Sequence, residues 1–370
     1  MGHTTIINHQ ERIIMNYTLR AIVVALALWL PQANGAKRKA YSNTLVPIRN
    51  PKPILADYPQ YVAPVLEETH YQSPPLVQDP QANLEVRAWR FSYNARGIVE
   101  IPNKLDGSRT AVICVHPWGV DDGQGWNTPE PAGVAFGCTP TKNAAIRKHA
   151  GEIINPFLKR MRPHVNTILY SLPRDADAAR LKAYRSINYD PTASERVEGK
   201  REMYRRLAAF DYTGHHIPPT LNLSADLPVV DYFKQFPGID ASDHYNRAGF
   251  WQLPIPVIDT IDVHPNDIVL YDNQGYPALR DYLKNQGIRH ILMVGYATDM
   301  CVCSTTAGYE NLRRDFNVFL VGDATQATFP ANKTAANATN QSISYAALNL
   351  LITQVSWIKS PRRITRNAPH

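Results

Sequence analysis

Between residues 110 and 358 the chain alternates two textures. Thr110–Val115 (TAVICV) is a nearly unbroken apolar run, followed at once by His116-Pro117-Trp118-Gly119. Apolar residues without alternation are what a strand buried on both faces requires, and proline and glycine end it. Similar runs recur at Val165–Leu172 (VNTILYSL), Ile268–Tyr271 (IVLY), His290–Val294 (HILMV), Asn317–Val321 (NVFLV) and Gln354–Ile358. Between them lie stretches of helical character. In Lys142–Arg162, Ala145, Ile146, Ala150, Ile153, Ile154, Phe157, Leu158 and Met161 fall near a 3.6-residue period, with Pro163 just beyond. Pro277–Gln286, closed by Gly287, then Val302–Arg314 and Thr334–Leu351 read as further helices. Strand and helix alternating at this spacing predict an α/β fold: a parallel sheet covered by helices on both faces and joined by right-handed crossovers.

The flanking regions differ. Val46–Pro80 holds eight prolines, a density that forbids helix and weakens sheet ladders. It reads as an extended arm, followed by a strand or hairpin over Leu84–Pro102 around Asn94-Ala95-Arg96-Gly97. Residues 174–260 lack clear period and are rich in Pro, Asp, Tyr and His; they predict a long insertion with a helix or two, placed to act as a lid. At the N-terminus, Arg20 precedes the apolar run Ala21–Leu30 (AIVVALALWL), then Pro31, Gln32 and Ala33-Asn34-Gly35-Ala36. That run is too short to anchor in a bilayer and has the small residues signal peptidase accepts, so residues 1–36 are expected to be a signal peptide, with Met15 an alternative start. The expected organisation is signal peptide 1–36, arm and hairpin 37–107, catalytic-type domain 108–358 and basic tail 359–370. The mature protein is expected to be exported, periplasmic or secreted, without a stable membrane span.

Composition narrows the class. With 370 residues, 44% hydrophobic and 19% charged, and four cysteines, the chain is neither disordered nor a disulfide scaffold. The net charge of +7 sits at the ends, in Lys37, Arg38 and Lys39 and in Lys359, Arg362, Arg363 and Arg366. The body between is near neutral, so no nucleic-acid partner is implied.

In parallel sheets ligands bind beyond the carboxyl ends of the strands. Three such tips carry reactive groups: His116; Tyr271 with Asp272; and Gly295-Tyr296-Ala297-Thr298-Asp299-Met300-Cys301-Val302. Cys301 is expected where the loop turns into a helix, where the dipole and free N–H groups favour a thiolate.

Gly295–Tyr309 (GYATDMCVCSTTAGY), followed by NVFLVGDAT, closely resembles the isochorismatase-like cysteine hydrolases, the superfamily of nicotinamidases and N-carbamoylsarcosine amidases. The resemblance covers roughly residues 108–358. It implies a three-layer αβα sandwich around a six-stranded parallel, Rossmann-like sheet, and attack of Cys301 on an amide carbonyl to form a thioester. It also implies an oxyanion hole from the backbone N–H groups of Ala297 and Cys301, helped by a cis Tyr296-Ala297 peptide. A small-molecule substrate and homo-oligomers are further implications. Two family residues are replaced: the first-strand aspartate by His116, and the third-strand lysine by Tyr271-Asp272-Asn273-Gln274, with no lysine between Phe236 and Leu283. The second-strand metal site is not visible in Ser171–Asp177 (SLPRDAD), so neither metal nor cofactor is implied.

Two readings stay open. A neutral His116 takes the Cys301 proton while Asp272 orients the imidazole, or activity is lost and the domain binds a ligand or partner. Trp118, Trp126, Tyr271, Tyr296 and Thr298 are candidates to line the pocket. Cys303 is expected in the core, and a Cys114–Cys138 disulfide is an option in an exported chain. Asn222, Asn332, Asn337 and Asn340 open glycosylation sequons that matter only in a eukaryotic host.

Overall fold

In the computed structural model the described residues are 44–52, 69–92, 94–117, 140–210, 226, 228, 252–298, 300–326 and 356–358. The chain divides into units 1–44 and 45–370, and every element described falls in the second. The signal segment, Trp118, Trp126, Cys138, the helix expected at 334–351, the sequons and the basic tail lie outside the described residues.

The strands are β1 (Val46–Pro47), β2 (His70–Gln72), β3 (Leu84–Ser92), β4 (Gly97–Leu105), β5 (Thr110–Val115), β6 (Thr167–Leu172), β7 (Ile268–Tyr271), β8 (His290–Tyr296), β9 (Asn317–Gln326) and β10 (Ser356–Ile358). Five of them are parallel in the order β9-β8-β5-β6-β7, and β10 pairs parallel with the outer side of β9. The order reverses between β5 and β8, the position beyond whose strand ends parallel sheets bind ligands. Every residue of β5, β7 and β8 is buried, which explains why these runs are apolar without alternation. Each large side chain so enclosed contributes about 1.5–3 kcal/mol.

The N-terminal hairpin enlarges this sheet. β3 and β4 pair antiparallel from Leu84↔Leu105 to Ser92↔Gly97, and β3 docks antiparallel on β10, so the whole is one mixed ten-stranded sheet. A buried histidine ties the additions down: His290 Nε2 lies 2.8 Å from Asp79 Oδ2, which also accepts the Asp106 N–H at 2.8 Å.

The helix expected at 142–162 runs as α1 (Pro140–His149), a π-helical turn (Ala150–Ile154) and α2 (Asn155–Met161). Pro156 has no N–H to donate one turn back, and the wide turn before it absorbs that loss. In the 174–260 region the structure holds α3 (Ala178–Ala183) and α4 (Ala193–Ala208). The start of α4 is a capping box, Thr192 with Glu195, a local signal visible in the sequence. α5 (Gly275–Asn285) buries Leu279 and Leu283 on one face and ends at Gly287 with φ of 72°.

One expected helix is corrected. Val302–Arg314 is not helical throughout: residues 300–308 form irregular turns, and α6 spans only Tyr309–Leu312. The hydroxyls of Thr305 and Thr306 bond the carbonyls of Cys301 (3.0 Å) and Asp272 (2.5 Å), drawing this segment into side-chain contacts instead of a helical ladder. Cys301 therefore stands in a turn, and no helix dipole acts on it.

Candidate active site

Three strand ends converge. β5 stops at His116, whose φ of 43° swings the chain out of the strand while its N–H still bonds Ser171 O at 2.9 Å. This left-handed conformation is uncommon for a non-glycine residue and turns the imidazole across the sheet edge. On the other side of β5, Gly295 pairs with Val115 at φ 106°, and an added Cβ would meet Val115 O at 2.2 Å. Only glycine permits so close an approach of β8 to β5, which brings the turn after β8 beside His116.

The imidazole is held on two sides. His116 Nε2 lies 2.8 Å from Asp272 Oδ2, across the tip of β6, and Ser171 Oγ donates to the other carboxylate oxygen at 3.2 Å. The Cys301 thiol lies close enough to the same ring to raise its pKa. With Nε2 engaged by the carboxylate, Nδ1 is the nitrogen left for the thiol. Burial lowers the His116 pKa, but the bonds and charges of Asp272 and Cys301 outweigh it and raise the value to about 9. The shift is toward the imidazolium form. The Asp272 carboxylate thus favours a protonated ring beside the thiol.

The turn carrying Cys301 is wound on Ala297. The Tyr296-Ala297 peptide is cis, and the Ala297 carbonyl accepts N–H groups from both Met300 and Val302 at 3.0 Å. Thr298 N bonds Gln326 O at 3.0 Å, fastening the turn to the end of β9. Among the described residues, the amides of Ala297 and Cys301 have no backbone acceptor.

The structure brings together Cys301, His116, Asp272 and Ala297. It treats the pocket candidates differently. Tyr271 is wholly buried with the Arg180 guanidinium 4.9 Å above its ring, Thr298 is 2% exposed, and Tyr296 turns its hydroxyl to His149. All three side chains are buried, and Tyr296 is anchored through its hydroxyl. Cys303 is core, its thiol 2.8 Å from Thr298 O. Cys114 is a free thiol enclosed in β5, its pKa pushed up by burial, so the Cys114–Cys138 bridge is not formed. Among the described residues no group of three or more His, Cys, Asp or Glu side chains could hold a metal ion, and no helix is long and apolar enough to cross a membrane.

Sequence reasoning overlooked Ser171, Thr306 and His149. Ser171 stands at the end of a strand between two reactive tips, which is a usable signal; the other two act across long sequence separations that carry none.

Residues 254–347 match the model of the Isochorismatase domain, a stretch that contains both Asp272 and Cys301. Over that stretch the chain is isochorismatase-like. A cysteine hydrolase from Pseudomonas syringae pv. phaseolicola 1448A is 18% identical, covering 66% of this chain and 87% of its own, with a TM-score of 0.33. A nicotinamidase from Bacillus subtilis is 14% identical over 67% of this chain and 98% of its own, with a TM-score of 0.32. No curated protein matches.

Proposed function

We propose that the protein is a cysteine hydrolase of small amides or related carbonyl compounds, working through a thioester on Cys301. The observation that carries the reading is the placement of His116 between Asp272 and Cys301. Proton transfer from a thiol needs an acceptor within hydrogen-bond reach, and an imidazole with a carboxylate behind it supplies one without the family's lysine.

In the first step the Cys301 sulfur attacks the carbonyl carbon and the C=O electron pair moves onto oxygen. The amides of Ala297 and Cys301 receive that oxyanion. The His116 imidazolium then gives its proton to the leaving nitrogen as the C–N bond breaks, leaving a thioester and a free amine. Now neutral, His116 takes a proton from water as the water oxygen attacks the thioester. Collapse releases the acid and returns the Cys301 thiolate beside the imidazolium. Asp272 remains ionised and keeps the ring oriented.

The Ala21–Leu30 run supports export as the setting of this activity. A second reading, a non-catalytic binding module, is favoured by the missing first-strand aspartate and third-strand lysine. Iodoacetamide at neutral pH with peptide mapping separates the two. Preferential labelling of Cys301, together with loss of ester turnover in Cys301→Ser, is the result expected of the hydrolase. Labelling first at Cys114, Cys138 or Cys303 counts against it.

A further inference from the structure

His149 is completely buried on the last residue of α1, where the helix widens into its π turn. Both its ring nitrogens are engaged: Nε2 lies 2.8 Å from the Asp323 carbonyl on β9, and Nδ1 lies 2.8 Å from the Tyr296 hydroxyl at the end of β8. The Tyr296 hydroxyl also lies 3.2 Å from the Ile146 carbonyl, and the two rings meet edge to face at 5.7 Å. One imidazole thus joins α1, β8 and β9 at the residue preceding Ala297, on which the Cys301 turn is wound.

The hydrogen-bond chemistry closes without a loose end. A carbonyl only accepts, so Nε2 carries a proton toward Asp323. Neutral His149 accepts at Nδ1 from the Tyr296 hydroxyl. Protonated His149 donates from Nδ1 to the Tyr296 oxygen, and the hydroxyl proton turns to Ile146. Both states keep every polar atom paired with no shift of heavy atoms, so the clamp holds in either protonation state.

We propose that His149 is a positioning residue: through Tyr296 it holds the Ala297 amide where the oxyanion forms. The inference rests on the hydrolase reading above. An amide displaced by about 1 Å loses about 100-fold in rate, and loss of one oxyanion donor costs about 100- to 1,000-fold.

The test measures two rates on the full chain: acylation by 4-nitrophenyl acetate, read as the burst of nitrophenolate, and alkylation of Cys301 by iodoacetamide. Acylation passes through an oxyanion and alkylation does not. Tyr296→Phe and His149→Gln, which lose the Tyr296–Nδ1 bond, are expected to acylate about 10- to 100-fold more slowly while alkylating at the parental rate. His149→Asn, whose amide nitrogen mimics Nδ1, is expected to recover most of the acylation rate. Equal acylation in the parent, Tyr296→Phe and His149→Gln overturns the inference. So do equal losses in acylation and alkylation, which mark a general loss of structure. A parent chain that alkylates at Cys301 but never acylates overturns the hydrolase reading instead.

Discussion

His116 Nε2 and Asp272 Oδ2 stand 2.8 Å apart although β6 lies between their strands, because both side chains lean over its tip and Ser171 Oγ closes the gap from below. The carboxylate is thereby occupied on both oxygens. Its ring partner has one nitrogen left, and Cys301 is close enough to shift the ring's pKa. In the proposed mechanism these three strand ends supply the nucleophile, the proton carrier and the orienting acid.

The roles differ, and so should the costs of removal. His116→Ala removes the proton carrier and is expected to lower acylation by about 100- to 10,000-fold with the fold retained. Asp272→Asn keeps a hydrogen-bond acceptor for the ring and is expected to cost less. Stopped-flow burst rates of the two variants check the order; a larger loss in Asp272→Asn would reverse the assignment.

The raised pKa of His116 has a consequence for stability. Its folded value of about 9 exceeds the ordinary value of about 6.5, so the folded state holds this proton more tightly than the unfolded chain does. The stabilisation is full below about pH 6.5 and is lost as pH rises through about 9. Urea midpoints measured across this range should fall with rising pH in the parent, and the fall should be shallower in His116→Asn.

Thr306 reaches from the loop after Cys301 to the Asp272 carbonyl at 2.5 Å. Thr306→Val removes this tie between the nucleophile loop and the tip of β7. It is expected to cost about 0.5–1.5 kcal/mol in urea unfolding and to slow acylation. Unchanged values in both measurements would show the contact to be incidental.

Gly295→Ala tests the close approach of β5 and β8. The new methyl would overlap Val115 O at a position with φ of 106°, so a destabilisation of more than about 1 kcal/mol is expected, with loss of acylation because the Cys301 turn moves. Circular dichroism melts alongside burst kinetics read both effects.

Much of this architecture was legible in the sequence, for physical reasons that can be named. Fully buried parallel strands leave long apolar runs, so β5, β7 and the start of β8 were visible to within a residue or two. His116, Asp272 and Cys301 could be singled out because ligands of parallel sheets bind at strand ends, a rule of position. The turn at 300–308 was misread as helix because the apolar spacing after Val302 suits a helix, while the Thr305 hydroxyl bonds within the turn and the Thr306 hydroxyl bonds Asp272 just past the end of β7. The upward shift of the His116 pKa leaves no mark in the sequence, because it depends on groups brought together from residues 272 and 301. His149 was missed because its three partners, at 146, 296 and 323, meet only once the sheet is assembled.

The central claim is that Cys301 forms a thioester with the help of His116. Acid quenching of the protein during turnover of 4-nitrophenyl acetate, followed by mass spectrometry of its peptides, tests this directly. The account predicts an acetyl group on the Cys301 peptide of the parent chain and, at the same time of quenching, little or none in His116→Ala. No adduct in the parent, an adduct on another cysteine, or equal acetylation of Cys301 in His116→Ala would contradict it.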